Sequence, residues 1–291
     1  MASAEAPDPN PHVPQYIVPA LACDAHCHVF GPAATFPYAP GRAYTPQDAP
    51  REHLAALHAV LRIDRAVIVQ ASCHGTDNRA TLDAIAHSGG AYRGVAIVDE
   101  SFADADYLTL HEGGIRGVRF NFVRHLGGMP DIKVVHAVIQ RIAPLGWHLV
   151  VHLDAVDIAE LSSTLRSLPV PFVIDHMGRV KASAGVEQAP FRALLDLLQV
   201  ENCWVKVCGA ERVSATGPPF HDAVPFARAL VDAAPDRVLW GTDWPHPNVG
   251  RFMPNDGDLV DLVPLIAPDD ASRHRLLVEN PARLYGFTAA R

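Results

Sequence analysis

Short apolar runs rich in valine and isoleucine alternate with longer amphipathic stretches along most of the chain. Apolar runs of about four to eight residues are typical of strands, and longer stretches with apolar residues three and four apart are typical of helices. The predicted strands are LACDAHCHV, RAVIVQA, RGVAIV, GVRFNF, WHLVVHL, PFVIDHM, CWVKVC and RVLWGTD. The predicted helices lie around residues 48–61, 78–88, 103–112, 132–144, 156–166, 189–199, 220–234 and 257–266.

This alternation predicts an α/β fold in which helices cover a parallel sheet, and eight such units close naturally into a (β/α)8 TIM barrel. The alternative is an open doubly wound sheet. Neither a G-x-G-x-x-G after the first strand nor a G-x-x-x-x-G-K-[ST] is present, so nucleotide binding has no support. The 291 residues show no internal break in composition. We therefore predict a flexible, proline-rich N-terminal arm over residues 1–20 and a single barrel domain over residues 21–291.

Composition excludes several classes of partner. The 24 basic against 32 acidic residues give a net charge of -8, which offers no basic field for nucleic acid or an anionic membrane. No apolar run approaches the roughly 20 residues of a membrane span, and the first twenty residues lack the features of a secretion signal. Five cysteines without a C-x-x-C pair fit a reducing compartment. The sequence thus predicts a cytoplasmic protein, and it leaves homo-oligomer formation open.

Two histidines one residue apart end the first predicted strand, in CDAHCHVF. Alternate side chains of an extended strand share a face, so His26 and His28 should point the same way, as should Asp24. Two converging imidazoles suit a shared cation, because its ligand bonds satisfy nitrogens that an apolar surround would leave unpaired. The alternative is a pair of hydrogen-bonded core histidines.

Three more polar residues lie where predicted strands end: His152 in LVVHLD, His176 in VIDHMGR and Asp243 in LWGTDWPHP. Because the reactive groups of TIM barrels lie at the carboxyl ends of the strands, all five side chains should lie on one rim. Random placement would scatter them over both ends. We therefore predict one divalent metal ion, zinc in the first instance, held by His26, His28, His152 and Asp243. Manganese and a metal-free site stay open.

A zinc ion with an open position lowers the pKa of a water ligand from 15.7 to about 7. Asp243 is then placed to accept a proton and return it to the leaving oxygen, as a general base and acid. The alternative for Asp243 is a turn aspartate. His176 is predicted to polarise a carbonyl or to bind the attacking oxygen.

Arginines near the predicted rim indicate an anionic substrate. Arg119 and Arg124 lie at and just past the fourth strand, and Arg212 lies beyond the seventh. Guanidinium groups match carboxylates and sulfonates with two parallel hydrogen bonds. The alternative for each arginine is a solvated surface charge. His246 and Asn248 follow the eighth strand and are candidates for orienting ligands or substrate from behind.

Several motifs carry a family resemblance: DAHCHVFGP, FPYAPGRAYTP, CHGTDNRA, GVRFNFV, DHMGR and LWGTDWPHPN. In this order they are similar to motifs of the 2-pyrone-4,6-dicarboxylate lactonases and 4-sulfomuconolactone hydrolases of the amidohydrolase superfamily, from about residue 22 to 287. The resemblance implies a barrel that holds one or two divalent metals. It also implies that Tyr44, Ser72 and His74 grip the acid groups together with the three arginines.

The resemblance also implies a difference between the two branches. The dicarboxylate lactonases carry tyrosine where this chain has His152 and can work without metal, whereas the sulfomuconolactone hydrolases require zinc. The sequence thus predicts metal-dependent hydrolysis of a small anionic lactone from bacterial breakdown of aromatic acids. The alternatives are a metal-dependent aromatic acid decarboxylase of the same superfamily and a barrel that binds a ligand without catalysis.

Overall fold

Eight parallel strands form one sheet in which neighbours pair in chain order. The computed structural model describes residues 5–123, 128–249 and 251–288. The strands are β1 (Cys23–Cys27), β2 (Arg65–Val69), β3 (Tyr92–Ala96), β4 (Ile115–Asn121), β5 (His148–His152), β6 (Phe172–Ile174), β7 (Cys203–Lys206) and β8 (Val238–Leu239).

Backbone hydrogen bonds beyond the short β8 join the last strand to the first. The Ala25 N–H donates to the carbonyl of Trp240 at 2.9 Å, and the Asp243 N–H donates to the carbonyl of His26 at 2.8 Å. The sheet therefore closes, and the predicted TIM barrel is confirmed.

Helices follow the strands as the periodicity predicted. They are α1 (Arg51–Leu61), α2 (Arg79–Ala86), α3 (Asp104–Glu112), α4 (Ile132–Ile142), α5 (Ile158–Arg166), α6 (Ala189–Leu197), α7 (Ala210–Val213), α8 (Val224–Ala233), α9 (Asp256–Asp261), α10 (Val263–Ile266), α11 (Asp270–His274) and α12 (Asn280–Tyr285). The helix predicted at 257–266 is two short helices, because Pro264 near the start of α10 has no N–H to continue the ladder. Within the described part of the chain, no helix combines the length and apolarity needed to cross a bilayer.

Alternate strand residues face opposite sides of the sheet. In β2, Val67 and Val69 join an apolar cluster inside the barrel, while Ile68 joins the layer between strands and helices. Tyr285 extends the inner cluster and packs against His148 at the start of β5, with ring centroids 5.0 Å apart. Side chains therefore fill the barrel at the amino ends of the strands, and a binding site can form only at the carboxyl ends.

Residues 5–20 form no helix or strand. Their backbone nevertheless bonds to the region of α9: the His12 N–H donates to Asn255 Oδ1 at 3.1 Å, and the Tyr16 N–H donates to Asp261 Oδ1 at 2.8 Å. The flexibility of this arm stays a prediction.

The carboxylate of Asp24 holds the first and last strands together. It is fully buried and accepts the backbone N–H groups of His26 (3.1 Å) and Thr242 (3.0 Å) and the Thr242 hydroxyl (2.6 Å). His58 Nε2 of α1 lies 3.3 Å from Asp24 Oδ2, the oxygen that also accepts the Thr242 hydroxyl. Asp24 thus points toward α1, and the prediction that it shares a face with the two histidines is wrong. The reason is a register irregularity of β1 between Asp24 and Cys27.

Replacing Thr242 by valine tests this seam, because valine keeps the side-chain shape and removes the hydroxyl, which donates to Asp24 and accepts the Trp244 N–H. Losing a hydrogen bond to a buried carboxylate costs about 1.5–3 kcal/mol. We expect a decrease of that size in the free energy of unfolding, measured by urea denaturation. Thr109→Val, at an exposed position of α3, is the control and should change it by less than about 0.5 kcal/mol. Equal effects would contradict the role assigned to the seam.

Candidate active site

A cavity of about 370 Å³ lies at the carboxyl ends of the strands. The predicted site residues that line it are His28, Tyr44, Ser72, Arg119, His152, His176, Arg212, Asp243 and Asn248. Sequence reasoning missed other lining residues, namely Arg179, Glu211, Pro247, Val249, Arg251 and Phe252. His26 lies in direct contact with this lining but is itself fully buried. Arg124 lies outside the described residues.

Three buried side chains bring possible metal ligands together: His26, His28 and Asp243, with ligand atoms all within 4.8 Å of one another. The Oδ1 atom of Asp243 lies 3.5 Å from His26 Nε2 and 3.3 Å from His28 Nε2. Among the described residues, neither His26 Nε2 nor Asp243 Oδ1 has a hydrogen-bond partner. Buried polar atoms without partners that converge on one point fit a divalent cation.

The opposite edge of the His28 ring supports ligation by Nε2. His28 Nδ1 lies 2.7 Å from the carbonyl oxygen of Val69, which only accepts, so Nδ1 carries the proton and donates. The lone pair is then on Nε2, which faces Asp243. Fixing a ligand histidine through its other nitrogen is the usual arrangement at metal sites.

His152 and His176 continue the row of imidazoles beside this group. The His176 ring centroid lies 4.7 Å from that of His26 and 5.3 Å from that of His152. His152 Nδ1 lies 3.1 Å from Asn121 Oδ1 of β4. The compact group of His26, His28 and Asp243 does not include His152, so the role of His152 as fourth ligand stays a prediction.

Burial keeps these imidazoles neutral at neutral pH. Desolvation, followed by the charge of Lys206, lowers the pKa of His26 to about 4. Burial likewise lowers the pKa values of His152 and His176 well below their usual value, with Arg119 adding to the effect at His152. A neutral ring, which keeps a lone pair on one nitrogen, is what metal ligation requires.

Asp243 divides its two oxygens between two tasks. The Nε and Nη2 groups of Arg212 donate to Oδ2 at 2.7 and 2.6 Å, which leaves Oδ1 facing the histidines. Burial opposes ionisation of this carboxyl, but the Arg212 charge and the nearby histidines outweigh it and hold its pKa well below the usual value. Asp243 is therefore a carboxylate at neutral pH, able to bind a cation or to accept a proton.

Several arginines line the cavity. Arg119 is buried and its Nε lies 3.1 Å from Asp175 Oδ2, so it is not the solvated surface charge considered as the alternative. Arg179 follows His176 by three residues and pairs with Asp154 at 2.7 Å. The sequence could have pointed to Arg179, because it is a charged residue just past the sixth strand, in DHMGR.

His74 and His246 take supporting positions. His74 Nε2 accepts the Gly31 N–H at 3.1 Å, and its Nδ1 lies 3.2 Å from the carbonyl of Pro37. The ring thus fixes the loop after β1, and a direct substrate contact would require it to give up both bonds. His246 is buried with Nε2 3.1 Å from Asp256 Oδ1, which places it behind the cavity wall.

The fold and the site define a parallel β/α barrel with a histidine and carboxylate cluster at the carboxyl ends of its strands. A model of the amidohydrolase family matches residues 23–287, and the chain belongs to this family. The resemblance expected from the sequence motifs is therefore confirmed.

Relatives cover nearly the whole chain. A 2-pyrone-4,6-dicarboxylate hydrolase of Comamonas testosteroni is 50% identical over 285 residues, covering 95% of this chain and 93% of the relative. A 4-sulfomuconolactone hydrolase of Rhizobium radiobacter is 42% identical over 274 residues, covering 93% and 92%. The crystal structure of a probable 2-pyrone-4,6-dicarboxylic acid hydrolase of Acinetobacter baumannii, with citric acid bound, has a TM-score of 0.81 at 27% identity and covers 92% of this chain and 100% of that one.

We expect the protein to bind divalent metal through the compact group, which equilibrium dialysis against zinc followed by metal analysis would measure. His28→Ala removes one ligand nitrogen and should weaken zinc binding by more than about 100-fold, beyond the loss seen when an outer partner is removed. His136→Ala, at an exposed position of α4, is the control and should bind like the unmodified protein. Equal zinc retention by both variants would place the metal elsewhere.

Proposed function

We propose that this protein hydrolyses a small anionic lactone of the kind produced in aromatic-acid breakdown. The observation that carries the proposal is the ionised Asp243, which faces His26 and His28 at the floor of an arginine-lined cavity. The names of the two relatives support it, since both are hydrolases of lactones that bear acid groups. The citric acid in the A. baumannii structure supports an anionic ligand.

The arginines would hold the acid groups of the substrate. Arg119 and Arg212 both line the cavity and are already fixed by carboxylates, so little side-chain freedom is lost when substrate binds. Tyr44 and Ser72 line the same cavity and add hydroxyl groups. The preorganised positive charge favours a substrate with two acid groups.

Asp243 would move the proton. In the hydrolysis, a water oxygen bonds to the lactone carbonyl carbon and the ring carbon–oxygen bond breaks. Asp243 Oδ1 accepts the proton of the water and returns it to the ring oxygen as it leaves. His176 is placed to donate to the carbonyl oxygen as it gains negative charge. The product is a ring-opened acid with one more carboxylate.

Zinc is the metal we propose for this site, held by His26, His28 and Asp243, with His152 as the fourth ligand. An ion bound there would activate water at neutral pH. Imidazole and carboxylate ligands suit zinc. The proposed location of the enzyme is the cytoplasm, with the lactone as its partner.

Assays on 4-sulfomuconolactone and 2-pyrone-4,6-dicarboxylate, followed by acid release, test the function. We expect hydrolysis of at least one lactone, loss of activity after treatment with a chelator, and recovery on addition of zinc. Full activity of metal-free protein would contradict the zinc requirement. Release of CO2 from an aromatic acid, without acid release from either lactone, would favour the decarboxylase.

Replacing Asp243 by asparagine tests the proton transfer, because an amide cannot accept the proton. General acid and base catalysis contributes about 10²–10⁴-fold, and we expect kcat to fall by that amount on the lactone that is hydrolysed. Circular dichroism checks that the variant is folded despite losing its pair with Arg212, and metal analysis checks that it still binds zinc, so that a fall in kcat reports the proton transfer. Asp270→Asn, at an exposed position of α11, is the control. An active Asp243→Asn enzyme would mean that the proton goes to another group.

A further inference from the structure

A buried lysine lies directly beneath the proposed metal ligands. Lys206, the last residue of β7, is fully buried, and its Nζ lies 3.0 Å from His26 Nδ1. The carboxylate of Asp175 completes a triangle, with Oδ1 3.3 Å from Lys206 Nζ and 3.3 Å from His26 Nδ1. All three side chains are excluded from solvent.

The chemistry of the three groups allows only one of two proton positions on His26. An ammonium group can only donate a hydrogen bond, and a carboxylate can only accept one. Nδ1 of a neutral ring therefore either accepts from Lys206 or donates to Asp175, and it cannot do both. Whether His26 can bind a metal therefore depends on which of these two neighbours is hydrogen-bonded to Nδ1.

Each choice fixes the other edge of the ring. If Nδ1 accepts from Lys206, the proton is on Nε2, which points toward Asp243 Oδ1 at 3.5 Å and has no lone pair for a metal. If Nδ1 donates to Asp175, Nε2 offers its lone pair to a cation. The second form is the carboxylate–histidine–metal arrangement found at many metal sites.

The surroundings favour the first form in the absence of metal. The contact from Lys206 to Nδ1 is the shorter one, at 3.0 Å against 3.3 Å. Asp175 is also drawn to other cations, since Arg119 Nε lies 3.1 Å from its Oδ2. Two cations on one carboxylate reduce its pull on the imidazole proton.

We propose that Lys206 is a positioning residue that competes with Asp175 for Nδ1 of His26 and thereby holds down the affinity of the site for a divalent metal. The proposal rests on the metal site of the proposed function, and it adds the device that sets how readily this site is loaded. Loading then includes transfer of the ring proton from Nε2 to Nδ1. Lys206 then turns its ammonium group away from Nδ1 and toward Asp175.

Variants of the two competitors should shift zinc affinity in opposite directions. Lys206→Met removes the donor to Nδ1 and a positive charge, so zinc should bind about tenfold more tightly or better. Asp175→Asn removes the acceptor for the ring proton and should weaken zinc binding by about 10–100-fold, as loss of an outer partner does. A merely structural role predicts weaker binding in both. Zinc affinity is measured by competition with a chelating dye.

Two control variants separate the proton position from charge and from surface effects. Arg119→Met also removes a cation from Asp175 but leaves the contact between Lys206 and His26, so its gain in affinity should be smaller than that of Lys206→Met. Lys133→Met, at an exposed position of α4, should change nothing. If Arg119→Met raised zinc affinity as much as Lys206→Met does, the loss of positive charge alone would explain both results, and the proposed competition for Nδ1 would be wrong.

The ring proton itself can be observed by nitrogen-15 NMR of histidine-labelled protein. The metal-free wild-type protein should carry the His26 proton on Nε2, and zinc should move it to Nδ1, as should Lys206→Met without zinc. A proton on Nδ1 in the metal-free wild-type protein would overturn the proposal. This measurement needs no variant, so the proposal can be tested even if Lys206→Met does not fold. Zinc binding by Lys206→Met that is unchanged or weaker, in folded protein, also overturns it.

These readouts separate this inference from the proposed function. Lactone hydrolysis by the wild-type protein with no change in zinc affinity on Lys206→Met would refute the inference alone. Movement of the ring proton and tighter zinc binding, without turnover of either lactone, would refute the function alone.

Discussion

The site depends on the seam where the barrel closes. His26 and His28 belong to the first strand and its end, whereas Asp243 follows the last strand, so these groups meet only if the two ends of the barrel are joined. Backbone hydrogen bonds make that join, and the buried carboxylate of Asp24 reinforces it, because it accepts hydrogen bonds from both sides of the seam. The irregularity of β1 turns Asp24 outward and His26 toward Asp243. The contacts that close the barrel therefore also bring the groups of the site together.

Charge pairing explains how so many ionised groups are buried together. An isolated charge costs several kcal/mol to bury, and removing one partner of a buried pair leaves that cost uncompensated. Here the groups pair: Asp243 with Arg212, and Asp175 with Arg119 and Lys206. The same pairs fix the directions of the side chains. The charged side chains of the cavity are therefore held in place before any substrate binds, which is the condition for electrostatic catalysis.

Much of this could be predicted from the sequence, and the failures have physical reasons. The two periodicities indicated the barrel, and strand ends located His26, His28, His152, His176 and Asp243, because parallel strands bring their carboxyl ends to one rim. The direction of the Asp24 side chain could not be predicted, because a single irregularity in a strand changes the face of the sheet toward which the next side chains point. His74 faces the loop after β1, a contact that depends on how residues 31–46 fold back. Lys206 and Asp175 did leave a signal, a charge inside an apolar strand, but their partners lie far along the chain.

The imidazole of His26 connects the floor of the cavity to the interior of the barrel. One edge faces Asp243 and the cavity, and the other faces Asp175 and Lys206, so a proton placed on one edge decides what the other can do. The carboxylate of Asp243 faces Nε2 and that of Asp175 faces Nδ1, and neighbouring cations keep both carboxylates ionised. The ring lies between two acceptors with only one proton to donate. A cation bound at Nε2 and an ammonium group at Nδ1 therefore oppose each other through a single side chain. This coupling makes the interior of the barrel part of the site and explains why β7 carries a lysine where packing alone would favour an apolar residue.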